Sequence, residues 1–259
     1  MKIRRLGWAG IEVLSADGPS LVVDFVQDFF LLSATRPPGA FVEPIQPAAA
    51  ALVTHLHEDH TDVTAIQSAV GSTGLVLRPE PFTAADEEAA FTEVAEADLL
   101  ASGLNVRVVA DWERIQLPPF TIIATPSVDG LGDRQVNWVI EADGKRVFHG
   151  GDTIFHGHWW LIARRAGPID VAVLPINGAV VNVPHLQPAS PLPAVLTPEQ
   201  AAQAAAILGA KTVVPIHFGV HQPPVYVEES NAVDRLVEAA AGLAIHVAPL
   251  APGDGIDVA

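Results

Sequence analysis

The chain has 259 residues, 49% apolar and 17% charged, a balance that supports a sizeable buried core and excludes a disordered polypeptide. It contains no cysteine, so disulfides and thiolate metal sites are excluded, and any metal must be held by His, Asp or Glu. Thirty acidic residues against 14 basic ones give a formal net charge of −16, a field that repels nucleic acid and anionic membranes but leaves room for one local anion pocket.

The N-terminal MKIRRLGWAG carries basic residues without the apolar run of about 7–15 residues that a signal peptide needs. No apolar run approaches the ~20 residues of a membrane span. The expectation is one cytoplasmic domain over residues 1–259 that acts on a small molecule, with no nucleic-acid or membrane partner. The oligomeric state is left open.

Short apolar runs, IEVLS, LVVDFV and AAALVTH, predict strands in the first third. TDVTAIQSAV then has helical spacing, with Thr61 or Asp62 as its cap. Residues 82–101 read as an acidic amphipathic helix with a solvated charged face. From 105 to 149 strands return as NVRVVA, TIIATP, VNWVIEA and KRVFH, the last two joined by a hairpin turn at Asp143-Gly144.

DVAVLPI is an unbroken apolar run of the kind buried on both faces. TPEQAAQAAAILGA predicts a capped helix ending near Gly209, KTVVPIHFG a strand, and ESNAVDRLVEAAAG a last helix. Residues 182–196 carry four prolines and cannot be a central strand. They form a long loop that either bridges two elements or rims a site.

The densest chemistry lies in THLHEDHTD, residues 54–62. Alternate residues at a strand end point the same way, so His55 and His57 can reach one point, while Asp59 and His60 can address a second. Imidazole nitrogen and carboxylate oxygen together suit Zn, Mn or Fe. No G-x-S-x-G elbow and no phosphate-binding glycine loop occurs.

This motif, with HGGDT at 149–153, VVPIHFG at 213–219, and LGWAGIEV, VVDF and LPING in order along the chain, resembles the metallo-β-lactamase fold superfamily. Within it, the pattern is similar to the L-ascorbate-6-phosphate lactonase-like branch. The resemblance implies an α/β, four-layer αββα sandwich, two divalent metal ions (Mn, Fe or Zn), Asp152 as the carboxylate bridging them, and His217 as a further ligand. It implies hydrolysis of a lactone, carboxylic ester or phosphate ester by a metal-bridging hydroxide, with Asp59 accepting the nucleophile's proton.

One ligand departs from the family's pattern. In the stretch ATPSVDG, Asp129 stands where a third His of the first metal is expected, and no His occurs between His60 and His149. Asp129 is either a carboxylate ligand or a turn aspartate before Gly130. As a ligand it makes the site richer in oxygen and shifts preference toward harder ions such as Mn or Fe(II).

His156 and His158, just after Asp152, together with His185 and His221, are candidates for substrate contact or, alternatively, surface and packing residues. Trp8 occupies a position where related proteins carry a His. Asp24 is expected to orient a ligand His rather than to bind metal. Two alternatives to hydrolysis stay open: iron- and O2-dependent oxidation or a lyase step in the same fold, and a non-catalytic binding protein with a degraded site.

Overall fold

Strand alternation decides the architecture. A computed structural model describes residues 1–29, 39–81, 89–184 and 186–259 of the chain. The first sheet is built from β1 (Lys2–Arg5), β2 (Ile11–Leu14), β3 (Ser20–Val23), β4 (Ala50–Leu52), β5 (Leu75–Pro79), β6 (Asn105–Val109) and β16 (Gly255–Asp257). Its seven strands run in the order β16-β1-β2-β3-β4-β5-β6, antiparallel as far as β3 and parallel from β3 onward.

The second sheet holds β7 (Arg114–Leu117), β8 (Phe120–Pro126), β9 (Val136–Ala142), β10 (Lys145–His149), β11 (Val171–Pro175), β13 (Thr212–Ile216) and β15 (His246–Val247). It repeats the same logic, with β7 to β10 an antiparallel meander and β10, β11, β13 and β15 parallel. Two short strands, β12 (Val180–Val181) and β14 (Tyr226–Val227), pair with each other alone. The halves share this strand plan without sharing a sequence repeat.

Because side chains alternate across a strand, each apolar run serves two cores. Leu21 and Val23 of β3, Val171 and Val173 of β11, and Val214 and Ile216 of β13 all enter one central cluster between the sheets. Val22 points the other way, onto α1 (Val63–Val70) and α2 (Ala89–Ala101), through Ala65, Ile66, Ala95 and Leu99. Ala172, Leu174 and Val213 point out onto α3 (Trp159–Ala166), α4 (Pro198–Leu208) and α5 (Ala232–Ala241). Three apolar interfaces between four layers make the αββα sandwich that the sequence led us to expect.

Local signals explain most element ends. Asp62 caps α1 by accepting the Ala65 N–H at 2.9 Å. Asp143 and Gly144, at φ 55° and 70°, make the left-handed pair of the β9–β10 hairpin. Thr197 and Gln200 form a reciprocal capping box on α4, which ends at Gly209 in the left-handed region.

Three predicted strands stop early: β3 at Val23, β4 at Leu52 and β13 at Ile216. Asp24 and His217 follow their strands with φ of 45° and 56°, which breaks the extended run at a candidate site residue. Several elements were not anticipated: the strands β1, β5, β7, β12, β14, β15 and β16, and the helix α3, which buries Trp159, Ile162 and Ala166 at helical spacing. The predicted helix at 82–101 is helical from Ala89, and its residues 82–88 lie outside the described ones.

No helix among the described residues is long and apolar enough to cross a membrane. Removing the reciprocal cap tests the reading of α4, which supports the outer face of the second sheet. Thr197→Ala should cost about 1 kcal/mol in urea unfolding, and an unchanged midpoint would contradict that role.

Candidate metal centre

The centre forms where strands of both sheets end. The loop after β4 supplies His55, His57, Asp59 and His60; the turn between β8 and β9 supplies Asp129; the turn after β10 supplies Asp152; and the end of β13 supplies His217. Two groups of donor atoms converge within 4.8 Å: Asp59, His60, Asp152 and His217 in one, His55, His57 and Asp59 in the other.

Hydrogen bonds behind the rings set the tautomers. The Asp24 carboxylate, 1% exposed, accepts the Thr54 N–H at 2.8 Å and the Thr54 hydroxyl at 2.7 Å. Having given its only hydrogen to Asp24, the Thr54 hydroxyl accepts from His55 Nδ1 at 3.0 Å. Asp24 also accepts from His60 Nδ1 at 2.7 Å. His217 Nδ1 faces the Asn177 carbonyl at 3.4 Å, and Asn177 in turn donates to the Tyr226 hydroxyl at 2.7 Å. Each ring therefore carries its proton on Nδ1 and directs an Nε2 lone pair into the centre.

Those lone pairs meet carboxylates. His60 Nε2 lies 2.9 Å from Asp152 Oδ1, and His217 Nε2 lies 2.9 Å from Asp152 Oδ2 and 3.3 Å from Asp59 Oδ2. Despite its closeness, the His60–Asp152 contact lacks hydrogen-bond alignment. His55 Nε2, His60 Nε2 and Asp152 Oδ1 are all buried without a hydrogen-bond partner. Buried polar atoms left this way cost free energy unless a further group satisfies them. A divalent cation is the group this N/O donor set fits.

The centre is held from several sides. His149 donates from Nε2 to the Ala9 carbonyl at 2.9 Å and accepts the Gly151 N–H on Nδ1 at 3.2 Å, bracing the turn that carries Asp152. Gly151 has φ 53°, and a Cβ there would sit 2.7 Å from the Thr54 hydroxyl, so only glycine allows the two loops this approach. Trp8 donates its indole N–H to Asp59 Oδ2 at 3.0 Å and packs on the His217 ring at 4.2 Å.

Protein charges alone make the centre strongly acidic. Burial would raise the Asp59 and Asp152 carboxyls, but His60 and His217 hold both well below the usual range. Burial would lower His60, and Asp152, Asp59 and Asp24 raise it well above its ordinary value. His55 is pushed down by burial and by the neighbouring His60 and His57, which keeps it neutral and able to donate to a metal.

Asp129 is 7% exposed, and burial pushes its carboxyl up to about 6. Its Oδ1 accepts the Leu131 N–H at 2.7 Å, and its Oδ2 stands 3.9 Å from His55 Nε2. Asp133, which sequence reasoning passed over within the turn GLGDR, approaches His57 Nε2 to 2.6 Å. Burial would depress the His57 ring, but that hydrogen bond and the charges of Asp129, Asp59 and Asp133 raise it to about 9. Asn177 and Tyr226 were missed as well; Tyr226 is the chain's one tyrosine, which was the available signal.

The candidate substrate residues do not gather here. His57, Asp59, Asp129, Asp133, Asp152 and His217 line a cavity of about 820 Å³, and His156, His158 and His221 are not among its lining residues. His156 stacks on Trp159 with ring centroids 4.6 Å apart, and burial lowers its imidazole to about 4, as befits a packing residue. His158 precedes α3 at its N-terminus, and His221 lines a separate hollow with Phe218 and Glu228. His185 lies outside the described residues, although its neighbours Pro184 and Leu186 line the cavity, so the proline-rich loop rims the site.

Similarity to known proteins agrees with the geometry. The model of the beta-lactamase superfamily domain family matches residues 20–218. A UPF0173 metal-dependent hydrolase of Thermococcus kodakarensis is 29% identical over 223 residues, 85% of this chain and 87% of that protein. Among solved structures, the metallo hydrolase Igni18 of Ignicoccus hospitalis superposes with a TM-score of 0.67 at 21% identity, covering 98% of this chain and 97% of that one. The diiron β-hydroxylase CmlA of Streptomyces venezuelae gives 0.75 at 17% identity, covering 98% of this chain and 53% of its own.

Asp24 fixes the proton of the His60 ring on Nδ1, and its substitution reveals what that proton is worth to a metal. An amide there presents N–H to the His60 ring, which then carries its proton on Nε2 and loses its inward lone pair. Asp24→Asn should weaken metal affinity by about 10–100-fold in competition with a chromogenic chelator, and affinity within about twofold of wild type would contradict the argument. With a family match spanning most of its residues and with its layered fold, the chain belongs to the beta-lactamase superfamily domain family, in which it is similar to proteins named metal-dependent hydrolases.

Proposed function

We propose that this protein uses two divalent ions, of Mn, Fe(II) or Zn, to hydrolyse an ester-like bond of a small molecule: a lactone, a carboxylic ester or a phosphate ester. The observation that carries this reading is the trio of His55, His60 and His217, each proton-anchored on Nδ1, converging with Asp59 and Asp152. His55, His57 and Asp129 would hold the first ion, Asp59, His60 and His217 the second, with Asp152 between them. Ions bound there supply Lewis acidity toward a carbonyl or phosphoryl oxygen and lower the pKa of a water.

The chain's own groups do the rest. Asp59 faces the cavity with its Oδ2 fixed by the Trp8 N–H, so it stands ready to take the proton of the attacking water. The water oxygen bonds to the acyl carbon or the phosphorus, the bond to the leaving oxygen breaks, and Asp59 returns the proton to that oxygen. The likeness to lactonase-like proteins makes lactones the first substrates to assay.

The oxygen-rich donor set also motivates a second reading, oxidation by O2 at iron. Ferrous protein that consumes oxygen in the presence of a small-molecule substrate, and hydrolyses nothing, would favour it.

The weakest ligand assignment is the most informative to test. Elemental analysis of protein expressed with Mn, Fe and Zn available should give two ions for wild type and about one for Asp129→Ala. Ester turnover should fall at least ~100-fold in that variant. Full metal content in Asp129→Ala would remove Asp129 from the ligand set, and a loss confined to Asp133→Ala would transfer the position to Asp133. No metal in the wild type would instead support a non-catalytic binding role.

A further inference from the structure

Each histidine of the centre is held from behind, but one of them is held from the opposite side. His55, His60 and His217 present Nδ1 to Thr54, Asp24 and Asn177 and turn Nε2 inward. His57 shares a donor group with His55 and Asp59, yet its Nε2 lies 2.6 Å from Asp133 Oδ2. With Nε2 engaged in this way, Nδ1 is the nitrogen that the His57 ring has left for an ion.

The separation distinguishes an anchor from a second ligand. Two donors held by one ion at about 2.0–2.2 Å stand about 3 Å or more apart. Other donor pairs of the centre keep that spacing, 2.9 Å between His60 and Asp152 and 3.3 Å between His217 and Asp59. At 2.6 Å the His57–Asp133 pair is closer than a shared ion allows and fits a hydrogen bond to a carboxylate.

The chain holds Asp133 in this place from both sides. Before it, Asp129 Oδ1 accepts the Leu131 N–H at 2.7 Å, and Gly132, at φ 98°, donates its N–H to the Asp129 carbonyl at 3.3 Å. After it, Gln135 Oε1 accepts the Asp152 N–H at 3.2 Å, and the Val136 N–H donates to the Thr54 carbonyl at 3.0 Å. The turn is thereby tied to the loops that carry His55, His57 and Asp152. The His57 and Asp133 side chains are 15% and 11% exposed, so their bond forms largely out of water.

We infer that Asp133 is a positioning residue for the first ion: it fixes the His57 proton on Nε2 and so aims Nδ1 at the ion, without binding the ion itself. On the two-ion hydrolase reading above, Asp133 does for the first ion what Asp24 does for the second through His60.

Tautomers and affinities read at the histidines test this without turnover. Long-range proton–nitrogen correlation spectra of the zinc-loaded full chain should place the ring proton on Nε2 in His57 and on Nδ1 in His55, His60 and His217. With a chelator setting the free zinc, Asp133→Ala should weaken the ion reported by His57 about 10–100-fold and leave the ion reported by His217 within about threefold. Asp133→Asn keeps an oxygen that accepts the Nε2 proton but is a poor ligand, so it should recover most of that loss.

A His57 protonated on Nδ1 in the zinc-loaded wild type overturns the inference. So does unchanged affinity in Asp133→Ala, or a loss in Asp133→Asn as deep as in Asp133→Ala, which would make Asp133 a ligand. Wild type that takes up no zinc removes the two-ion reading and the role of Asp133 with it. An ester series on the zinc-loaded wild type separates the two levels. No turnover with the expected tautomers rejects hydrolysis and keeps the role of Asp133, whereas turnover with His57 protonated on Nδ1 does the reverse.

Discussion

Buried negative charge that no lysine or arginine among the described residues pairs with is the constraint around which this molecule is arranged. Taking a carboxylate out of water costs several kcal/mol even after relaxation, so each one needs strong donors or a counter-ion. Asp24 is satisfied by Thr54 and His60. Asp59, Asp129, Asp133 and Asp152 make their close ion-pair contacts with imidazoles, and among the described residues no lysine or arginine pairs with them. Of these imidazoles, His55, His60 and His217 in turn point Nε2 at the same space. Divalent ions resolve both problems at once, which is why charge and tautomer lead to the same conclusion.

The fold's task is to hold these groups in place against their own repulsion. Strands of both sheets deliver the ligands at their ends, and the central cluster between the sheets fixes the ends relative to one another. Two of the strands end in residues with left-handed backbone, Asp24 and His217, a conformation that costs a non-glycine residue about 1–3 kcal/mol. Asp24 offsets that cost with its buried hydrogen bonds; His217 is held by its backbone N–H to the Trp8 carbonyl at 3.2 Å and by the indole against its ring. Strain and rigidity are thus concentrated where geometry matters for chemistry.

Much of this was legible in the residues themselves. The buried strands announced their two-faced burial in unbroken apolar runs, and the α4 cap and the Asp143-Gly144 hairpin follow from local chemistry that tertiary packing does not override. The cluster at 54–62 announced a metal site by density alone. Hidden from sequence were relations across the chain: Trp8 to Asp59, Asn177 to His217, and Asp133 to His57, 51, 40 and 76 residues apart. No local pattern encodes such distances. His156 misled for the opposite reason, since nearness to Asp152 in sequence is undone by the turn into α3, which lays its ring on Trp159.

Asp129 makes the donor set of this chain richer in oxygen than the His-rich pattern it resembles, and Trp8 fixes Asp59 beside it. Everything functional in this account depends on two ions in that centre. Anomalous diffraction from crystals of the purified protein, recorded at the Mn, Fe and Zn edges, tests it most directly. Two peaks about 3.5–4 Å apart are expected, one against His55 and His57 and one against His60 and His217, with Asp152 between them. Empty density at these residues in protein supplied with all three metals, or ions bound only elsewhere, would contradict it.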